Sequence, residues 1–212
     1  MAARIIALVG AESTGKSTLA RQLADALRAD GLVVAEIDET LRTFCDQRGR
    51  TPRPDEQAAI AAEQTRRIAA ARDARLLPVD VVVADTTALM TAVYSELVFG
   101  DTTLYPQALA DHRQADLTLL MALDLPWVAD GLQRDGPQVQ QPVDTLLRGA
   151  LLGAGIGFSV VSGRGPQRLT SARAAWAAAQ RQASARSGAP GSWRHHCGRC
   201  GDPFCEQHLF SR

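Results

Sequence analysis

Several residue types are scarce or missing in this chain, and some of these absences argue against a class of function. Lys16 is the only lysine among 23 basic side chains, so every other one is an arginine. Asparagine is missing altogether, which argues against a GTP switch because the usual guanine-reading motif needs that residue. Aromatic residues make up 5%, too few for a surface that stacks the bases of single-stranded nucleic acid. The 23 acidic side chains balance the 23 basic ones, so electrostatics gives no reason to expect DNA or membrane binding.

Long apolar runs are also missing, and cysteines are few. No run approaches the length of a membrane span, and the N-terminus leads into a strand pattern rather than a cleavable signal, so we predict a cytoplasmic protein. Cys45 stands alone, whereas the other three of the four cysteines fall within nine residues, a pattern typical of metal binding rather than of disulfides. The 212 residues fit one α/β domain and a small appendage.

The single lysine lies in a phosphate-binding loop. Residues 10–17 read GAESTGKS, which matches G-x-x-x-x-G-K-[ST], and they lie between an apolar run at 4–9 and a helical pattern at 16–29. Strand, loop and helix in this order place backbone N–H groups and the helix dipole around a phosphate. The predicted nucleotide-binding residues are Gly10, Ala11, Glu12, Ser13, Thr14, Gly15, Lys16, Ser17 and Thr18.

Strand and helix patterns alternate through the rest of the chain. Strands are predicted at 4–9, 32–37, 79–84, 115–123 and 156–162, and helices at 16–29, 40–48, 55–77, 87–98, 106–115, 143–153 and 166–186. This alternation predicts an α/β fold of the P-loop NTPase type, with a five-stranded parallel sheet flanked by helices. The predicted domain covers 1–186, a linker covers 187–192, and a short zinc-knuckle-like tail covers 193–212.

Acidic residues follow the predicted strands at the edge where ligands bind in parallel sheets. Asp38 and Glu39 follow the second strand, Asp85 the third and Asp124 the fourth. The segment 124–142 is rich in proline, glycine and charge, as expected of a lid over nucleotide phosphates, and it carries Arg134.

These positions provide the parts that phosphoryl transfer needs. We expect Lys16 to contact the β and γ phosphates, Ser17 and Asp85 to hold Mg²⁺, and Arg134 to neutralise charge from the lid. Asp38 or Glu39 is the predicted carboxylate on the side of the phosphoryl acceptor.

Simpler interpretations of the same residues stay open. Asp85 can instead be a turn former at the end of a strand. Asp38 and Glu39 can instead be the N-cap and the acidic first turn of a helix. Arg134 has the alternative of a solvated surface arginine.

Longer segments resemble a known family. GAESTGKSTL, the run Glu39 to Arg42, VVVADTT, AVYSELVFGD and above all DLPWVADGLQRDG resemble the nicotinamide riboside kinase domain of bifunctional NAD-metabolism proteins, an AAA-type domain, and the P-loop ATPase or kinase family grouped with it. The likeness runs from about residue 4 to about residue 180. It implies an ATP-dependent and Mg²⁺-dependent kinase of a small ribosylated metabolite. By matching position, it also implies that Glu39, Arg42 and Asp85 are functional.

The resemblance has departures on the side of the substrate. Domains of the nicotinamide riboside type tend to carry an aromatic residue just before the matching glutamate, where this chain has Asp38. The sequence also lacks the adenylyltransferase domain and the DNA-binding segment of the bifunctional proteins, so no role on DNA is carried over.

The tail predicts a structural zinc site. Cys197, Cys200, Cys205 and His208 have the spacing C-x₂-C-x₄-C-x₂-H, and three thiolates with an imidazole suit tetrahedral Zn²⁺. His195 or His196 are alternative fourth ligands, and a disordered tail or a redox-sensing thiol cluster is the alternative to zinc.

Taken together, the sequence predicts an ATP-dependent kinase whose acceptor is a small hydroxyl-bearing metabolite, with nicotinamide riboside as the first candidate. The alternative is an ATP-binding switch protein whose zinc tail binds a protein or RNA partner.

Overall fold

The protein is built around a parallel sheet of five strands, seen in a computed structural model that describes residues 2–128 and 136–187. The strand order is β2-β3-β1-β4-β5, and every neighbouring pair is parallel. The strands are β1 (Arg4–Val9), β2 (Val34–Ile37), β3 (Val81–Asp85), β4 (Leu117–Met121) and β5 (Ser159–Val161). The α/β prediction and the five-stranded parallel sheet are therefore confirmed.

Seven α-helices occur in the described ranges and connect or follow the strands. They are α1 (Lys16–Ala29), α2 (Thr40–Arg48), α3 (Gln57–Arg72), α4 (Ala88–Phe99), α5 (Tyr105–His112), α6 (Gln140–Gly153) and α7 (Pro166–Ser187). Short 3₁₀ turns at Pro54–Glu56 and Pro137–Val139 precede α3 and α6.

The three central strands are buried on both faces, which explains their unbroken apolar sequences. All residues of β3 and β4 and all but the first of β1 are buried. Ile6 of β1 lies in register with Val83 on one side and Leu117 on the other. Because β1 is central and its two neighbours are β3 and β4, the loop that follows β1 emerges at the point where the strand order reverses, which is where such sheets bind ligands.

Helix α1 is held against the sheet by an apolar stripe. Its buried residues, Leu19, Ala20, Leu23, Ala24 and Leu27, recur at spacings of three and four, so one face meets the core and the other faces water. This packing fixes the N-terminal end of the helix at the carboxyl edge of β1.

The element boundaries mostly follow the sequence pattern, and the clearest differences are in the last strand and in two helices. The strand predicted at 156–162 covers only Ser159–Val161. The helix predicted at 55–77 ends at Arg72, and Leu76 and Leu77 beyond its end are 98% and 79% exposed, so neither is buried against the core. The helix predicted at 143–153 begins earlier, at Gln140. Pro142 falls in its first turn, where a missing backbone N–H costs no helical hydrogen bond.

The chain divides into two compact units at residue 176. The first unit ends at Trp176 and contains the sheet, α1 to α6 and the beginning of α7. The described part of the second unit is the remainder of α7, from Ala177 to Ser187. Residues 188–212, with most of the predicted linker and all of the zinc-knuckle-like tail, lie outside the described residues. Among the described helices, none combines the length and apolar character that crossing a membrane requires.

Candidate functional site

The loop between β1 and α1 has the backbone shape of a phosphate cradle. Gly10 has a φ of 150°, and a Cβ atom there would lie 2.9 Å from Cβ of Met121 on β4. Gly15 has a φ of 77° and immediately precedes the first residue of α1. A side chain at position 10 would meet the neighbouring strand, and one at position 15 would be strained by the left-handed backbone, so both glycines are required by geometry.

Lys16 folds back over this loop. Its Nζ atom donates to the carbonyl oxygens of Gly10 and Ala11, each at 2.8 Å, and Thr14 Oγ1 donates to the same Ala11 carbonyl at 2.7 Å. The ammonium group therefore lies within the curve of the loop, among backbone groups that it helps to hold in place.

A cavity of about 330 Å³ opens beside the loop. Residues 12–18 line it, together with Arg21 on the next turn of α1. A second group of lining side chains comes from α2 and α4, and it is largely apolar. Its members are Leu41, Cys45, Met90, Tyr94, Val98 and Phe99. The cavity thus joins a phosphate-binding loop to an apolar wall.

The last residue of β3 and the residue that follows it carry unsatisfied polar atoms. Asp85 is 5% exposed and Thr86 is 4% exposed, and among the described residues neither Asp85 Oδ1 nor Thr86 Oγ1 has a hydrogen-bond partner. Thr86 has a φ of 81°, a strained conformation for a β-branched residue, and it lines the cavity. Buried unpaired oxygens and backbone strain at the same turn are typical of a ligand site.

Glu39 is a second carboxylate that interacts electrostatically with Asp85. Its side chain is only 16% exposed, and it lines the cavity. Burial raises the pKa of Glu39 and so does the charge of Asp85, while Lys16 and Arg42 act in the opposite direction. The charges of Lys16 and Asp85 therefore both act on Glu39. The catalytic roles that the sequence predicts for these three residues stay predictions.

Asp38, the alternative to Glu39, is placed differently. Its side chain is exposed and does not line the cavity, and its backbone carbonyl accepts a hydrogen bond from Arg67 at 3.1 Å. Of the two neighbouring acids after β2, the structure thus directs only Glu39 to the cavity. Arg134, Cys197, Cys200, Cys205 and His208 lie outside the described residues.

Asp124 does not face the cavity but belongs to a clamp behind the loop. It pairs with Arg168, which is 5% exposed, and it accepts a hydrogen bond from the N–H of Gly163 at 2.6 Å. Partial burial by itself would raise the pKa of Asp124. The Gly163 N–H and the Arg168 guanidinium outweigh this effect and hold the pKa of Asp124 below its ordinary value.

Arg168 connects this clamp to the phosphate loop. Its Nη1 atom donates to the carbonyl of Thr14 at 2.6 Å, its Nε atom donates to Gly163 O at 2.8 Å, and its Nη2 atom donates to Ala122 O at 3.3 Å. The fork of one guanidinium therefore joins the loop, the end of β4 and the turn before α7. The chain has 22 arginines, and no sequence signal distinguishes this one from the others.

Replacing Arg168 by methionine should lower the free energy of unfolding by about 3 kcal/mol, because buried carbonyls and Asp124 lose a charged partner. Chemical denaturation measures this loss. The matched control is Arg173→Met on the same helix, where an exposed pair with Asp30 at 2.8 Å is removed and less than about 1 kcal/mol is expected. Equal losses in the two variants would show that the clamp adds nothing beyond a surface ion pair.

Glu12, the third residue of the loop, is another buried contact point. Its Oε1 atom accepts hydrogen bonds from the indole Nε1 of Trp127 at 3.2 Å and from the N–H of Gly136 at 3.1 Å, and its own N–H donates to Tyr94 Oη at 3.2 Å. The described ends on either side of 129–135 thus both contact the phosphate loop. The loop motif allows any residue at this position, so its pattern does not reveal the role.

The oxygen atoms of the site fit a magnesium ion with nucleotide phosphates. Asp85 offers a buried carboxylate oxygen that has no hydrogen-bond partner within residues 2–128 and 136–187, and Ser17 offers a hydroxyl at the start of α1 beside the cavity. Among the described residues there is no cluster of three or more histidine, cysteine or acidic side chains that could hold a metal ion. Magnesium in nucleotide sites needs no such cluster, because phosphates and water complete its coordination.

Comparisons with known proteins agree with this geometry. The sequence profile of the family described as AAA domain matches residues 5–168. Two solved structures with a similar fold are NadR protein in complex with NAD and AMP-PNP, at 17% identity, and NadR protein in complex with NR, at 18% identity. Both have a TM-score of 0.63 and cover 82% of this chain. A search of curated protein sequences found no match.

The chain spans about half the length of these solved structures, 49% of one and 50% of the other. The likeness confirms the P-loop fold, and together with the profile match it confirms the family resemblance seen in the sequence. With more than three quarters of its length matched by the profile, the chain belongs to the AAA-domain family.

Proposed function

We propose that this protein is a kinase that transfers the γ-phosphoryl group of ATP to a hydroxyl group of a small ribosylated metabolite. The observation that carries the proposal is the cavity, which continues from the phosphate loop to Glu39 and the apolar wall of α2 and α4. An ATPase that transfers phosphoryl groups only to water needs room for ATP and a water molecule but no region for a second substrate. Here the second region holds a carboxylate suited to an acceptor hydroxyl.

The side chains divide the work of such a reaction. Lys16 and the N–H groups of the loop would bind the β and γ phosphates, and Ser17 and Asp85 would hold the magnesium ion. Bound ATP would supply the phosphoryl group, and the magnesium ion would supply positive charge that stabilises its transfer. Glu39 would orient the acceptor hydroxyl and receive its proton on a carboxylate oxygen. The raised pKa of Glu39 favours this role, because a carboxylate that binds a proton more readily is a better base.

The apolar wall supports a metabolite with a flat ring. Tyr94 and Phe99 line this part of the cavity, whereas Asp38, at the position where related domains carry an aromatic residue, is exposed outside it. Stacking on Tyr94 or Phe99 would replace the missing ring at position 38. Nicotinamide riboside is the first candidate, because it combines a ribose hydroxyl with a flat ring and because a similar fold was solved in complex with NR.

The proposal is tested by ADP release from purified protein with Mg-ATP, alone and with a panel of nucleosides headed by nicotinamide riboside. We expect one compound to raise the rate at least about tenfold, since a positioned acceptor reacts faster than water. Glu39→Gln is the matched variant: it keeps the size of the side chain and should lose the stimulation while still binding ATP. Slow hydrolysis that no nucleoside changes would refute the kinase and favour the ATP-binding switch.

We also propose that residues 193–212 form a zinc knuckle joined to the kinase domain by the linker at 187–192. The purified chain should then contain about one zinc per molecule, because three thiolates and a histidine complete a tetrahedral site. Cys200→Ser should lose the metal, as measured by elemental analysis. The control is Cys45→Ser, since Cys45 is a buried free cysteine of α2 and not a proposed ligand. A wild-type protein without zinc would contradict this site and leave the kinase proposal untouched.

A further inference from the structure

One buried side chain outside the cavity connects the two turns that carry the acidic residues of the site. Gln64 lies in the middle of α3 and is 1% exposed. A fully buried amide is costly unless its donors and acceptor are paired, so its partners show what the surrounding structure requires of it.

The two ends of the Gln64 amide reach different turns. Its Oε1 atom accepts a hydrogen bond of 2.8 Å from the N–H of Thr40, the first residue of α2 and the neighbour of Glu39. Its Nε2 atom donates to the carbonyl of Thr86 at 3.3 Å, next to Asp85. The amide therefore spans the distance between the turn after β2 and the turn after β3, although these strands belong to separate parts of the sequence.

Both turns need such support. Thr86 is held with a φ of 81°, which costs about 1–3 kcal/mol and persists only where neighbouring groups fix it. Its N–H donates to Leu8 O at 3.1 Å, and its carbonyl is held by Gln64. The N-terminus of α2 has no side-chain hydrogen bond from its own cap residue, Glu39, so the bond from Thr40 N–H to Gln64 satisfies one of its backbone donors.

We propose that Gln64 is a positioning residue that sets the spacing between Glu39 and Asp85, and through it the distance between the acceptor hydroxyl and the magnesium-bound phosphate. The consequence for catalysis rests on the kinase function proposed above. The bridge itself does not, since it consists of hydrogen bonds that can be measured in the absence of turnover.

Gln64→Met tests the whole bridge, because methionine fills a similar volume and makes neither hydrogen bond. We expect kcat to fall about ten- to hundredfold, as for other small misplacements of reacting groups. The KM for ATP should change less than about twofold, because Lys16 and the phosphate loop are not touched. Thermal melting accompanies the kinetics to confirm that the variant is folded.

Thr40→Pro tests one end of the bridge without changing Gln64. Proline is tolerated at the first position of a helix, and Glu39 before it has a ψ of 115°, which suits a residue preceding proline. The substitution removes the N–H that donates a hydrogen bond to Gln64 Oε1. It also removes a 3.4 Å hydrogen bond from Arg67 to Thr40 Oγ1. If Gln64 couples the turns, the amide proton of Thr86 should exchange with solvent about tenfold faster, although this N–H donates to Leu8 O and not to Gln64.

The matched control is Gln107→Met on α5, which removes an exposed amide hydrogen bond of 2.8 Å to Asp111 and should change neither kcat nor the exchange of Thr86. The double variant with Gln64→Met and Thr40→Pro should have the kcat of Gln64→Met alone within about twofold, because both changes break the same bridge.

The inference would be overturned if the double variant lost kcat by the product of the two single losses. An unchanged exchange rate of the Thr86 amide in Thr40→Pro would overturn it as well. A wild-type protein without nucleoside-stimulated turnover would refute the kinase instead. In that case, faster exchange at Thr86 would still support the bridge.

Discussion

Replacing Lys16 by alanine should lower ATP turnover by at least about a thousandfold, the loss expected when a charged donor to the reacting phosphate is removed. The fold should persist, because the hydrogen bonds that Nζ donates to the carbonyls of Gly10 and Ala11 lie within the loop and do not join separate elements of the core. Their loss is expected to cost roughly 1–3 kcal/mol of stability. ADP release measures the turnover, and thermal melting confirms the fold.

Arginine at the same position is the more informative companion variant. The chain uses arginine for every other basic side chain, yet the curve of the loop around Lys16 admits a compact ammonium group and not a planar guanidinium. Lys16→Arg should therefore be nearly as inactive as Lys16→Ala. Arg28→Ala is the control on the same helix, since Arg28 contacts Asp25 and Glu36 and does not line the cavity. Wild-type turnover in Lys16→Ala would refute the nucleotide site.

The second large effect is expected from Asp85→Asn. Turnover should fall by about a hundred- to a thousandfold, because the amide keeps the shape of the side chain but loses the charge that we propose holds magnesium. The same variant should be at least as stable as the wild type. Asp85 is 5% exposed and one of its oxygens has no partner in the described structure, and removing such a buried charge relieves a desolvation cost. Titration with magnesium and denaturation test both halves of the prediction.

Asp80→Asn is the control for Asp85. Asp80 lies just before the opposite end of the same strand, where its Oδ2 atom accepts a hydrogen bond from Val33 N–H at 2.8 Å. We expect it to lose stability and keep its turnover, which is the reverse of the expectation for Asp85. If Asp85→Asn retained both its rate and its magnesium dependence, the metal would have to be held elsewhere.

The sequence predicts the parts of the site that are local. The strand at 4–9 and the helix at 16–29 appear at the predicted residues. The glycine loop between them marks where one element ends and the next begins, and the apolar patterns on both sides are strong. Asp85 ends a strand whose other residues are all apolar, so its place at the carboxyl edge of the sheet also follows from the pattern.

The parts that depend on distant contacts are not visible in the sequence. Asp38 and Glu39 are neighbours with the same chemistry, and only the packing of α2 decides that Glu39 lines the cavity and Asp38 does not. Gln64 contacts partners 22 and 24 residues away, and the local pattern around it reads as an ordinary helix. Asp124 looks like a further site acid because it follows β4, yet its partner Arg168 is 44 residues further along the chain.

The bond between Arg168 and Thr14 joins residues that are 154 positions apart. Ribosomes make proteins from the N-terminus, so the nascent chain completes its phosphate loop early but has no guanidinium to fasten it until nearly the whole domain has been synthesised. The hydrogen bond that fastens Thr14 can therefore form only on chains translated beyond this arginine.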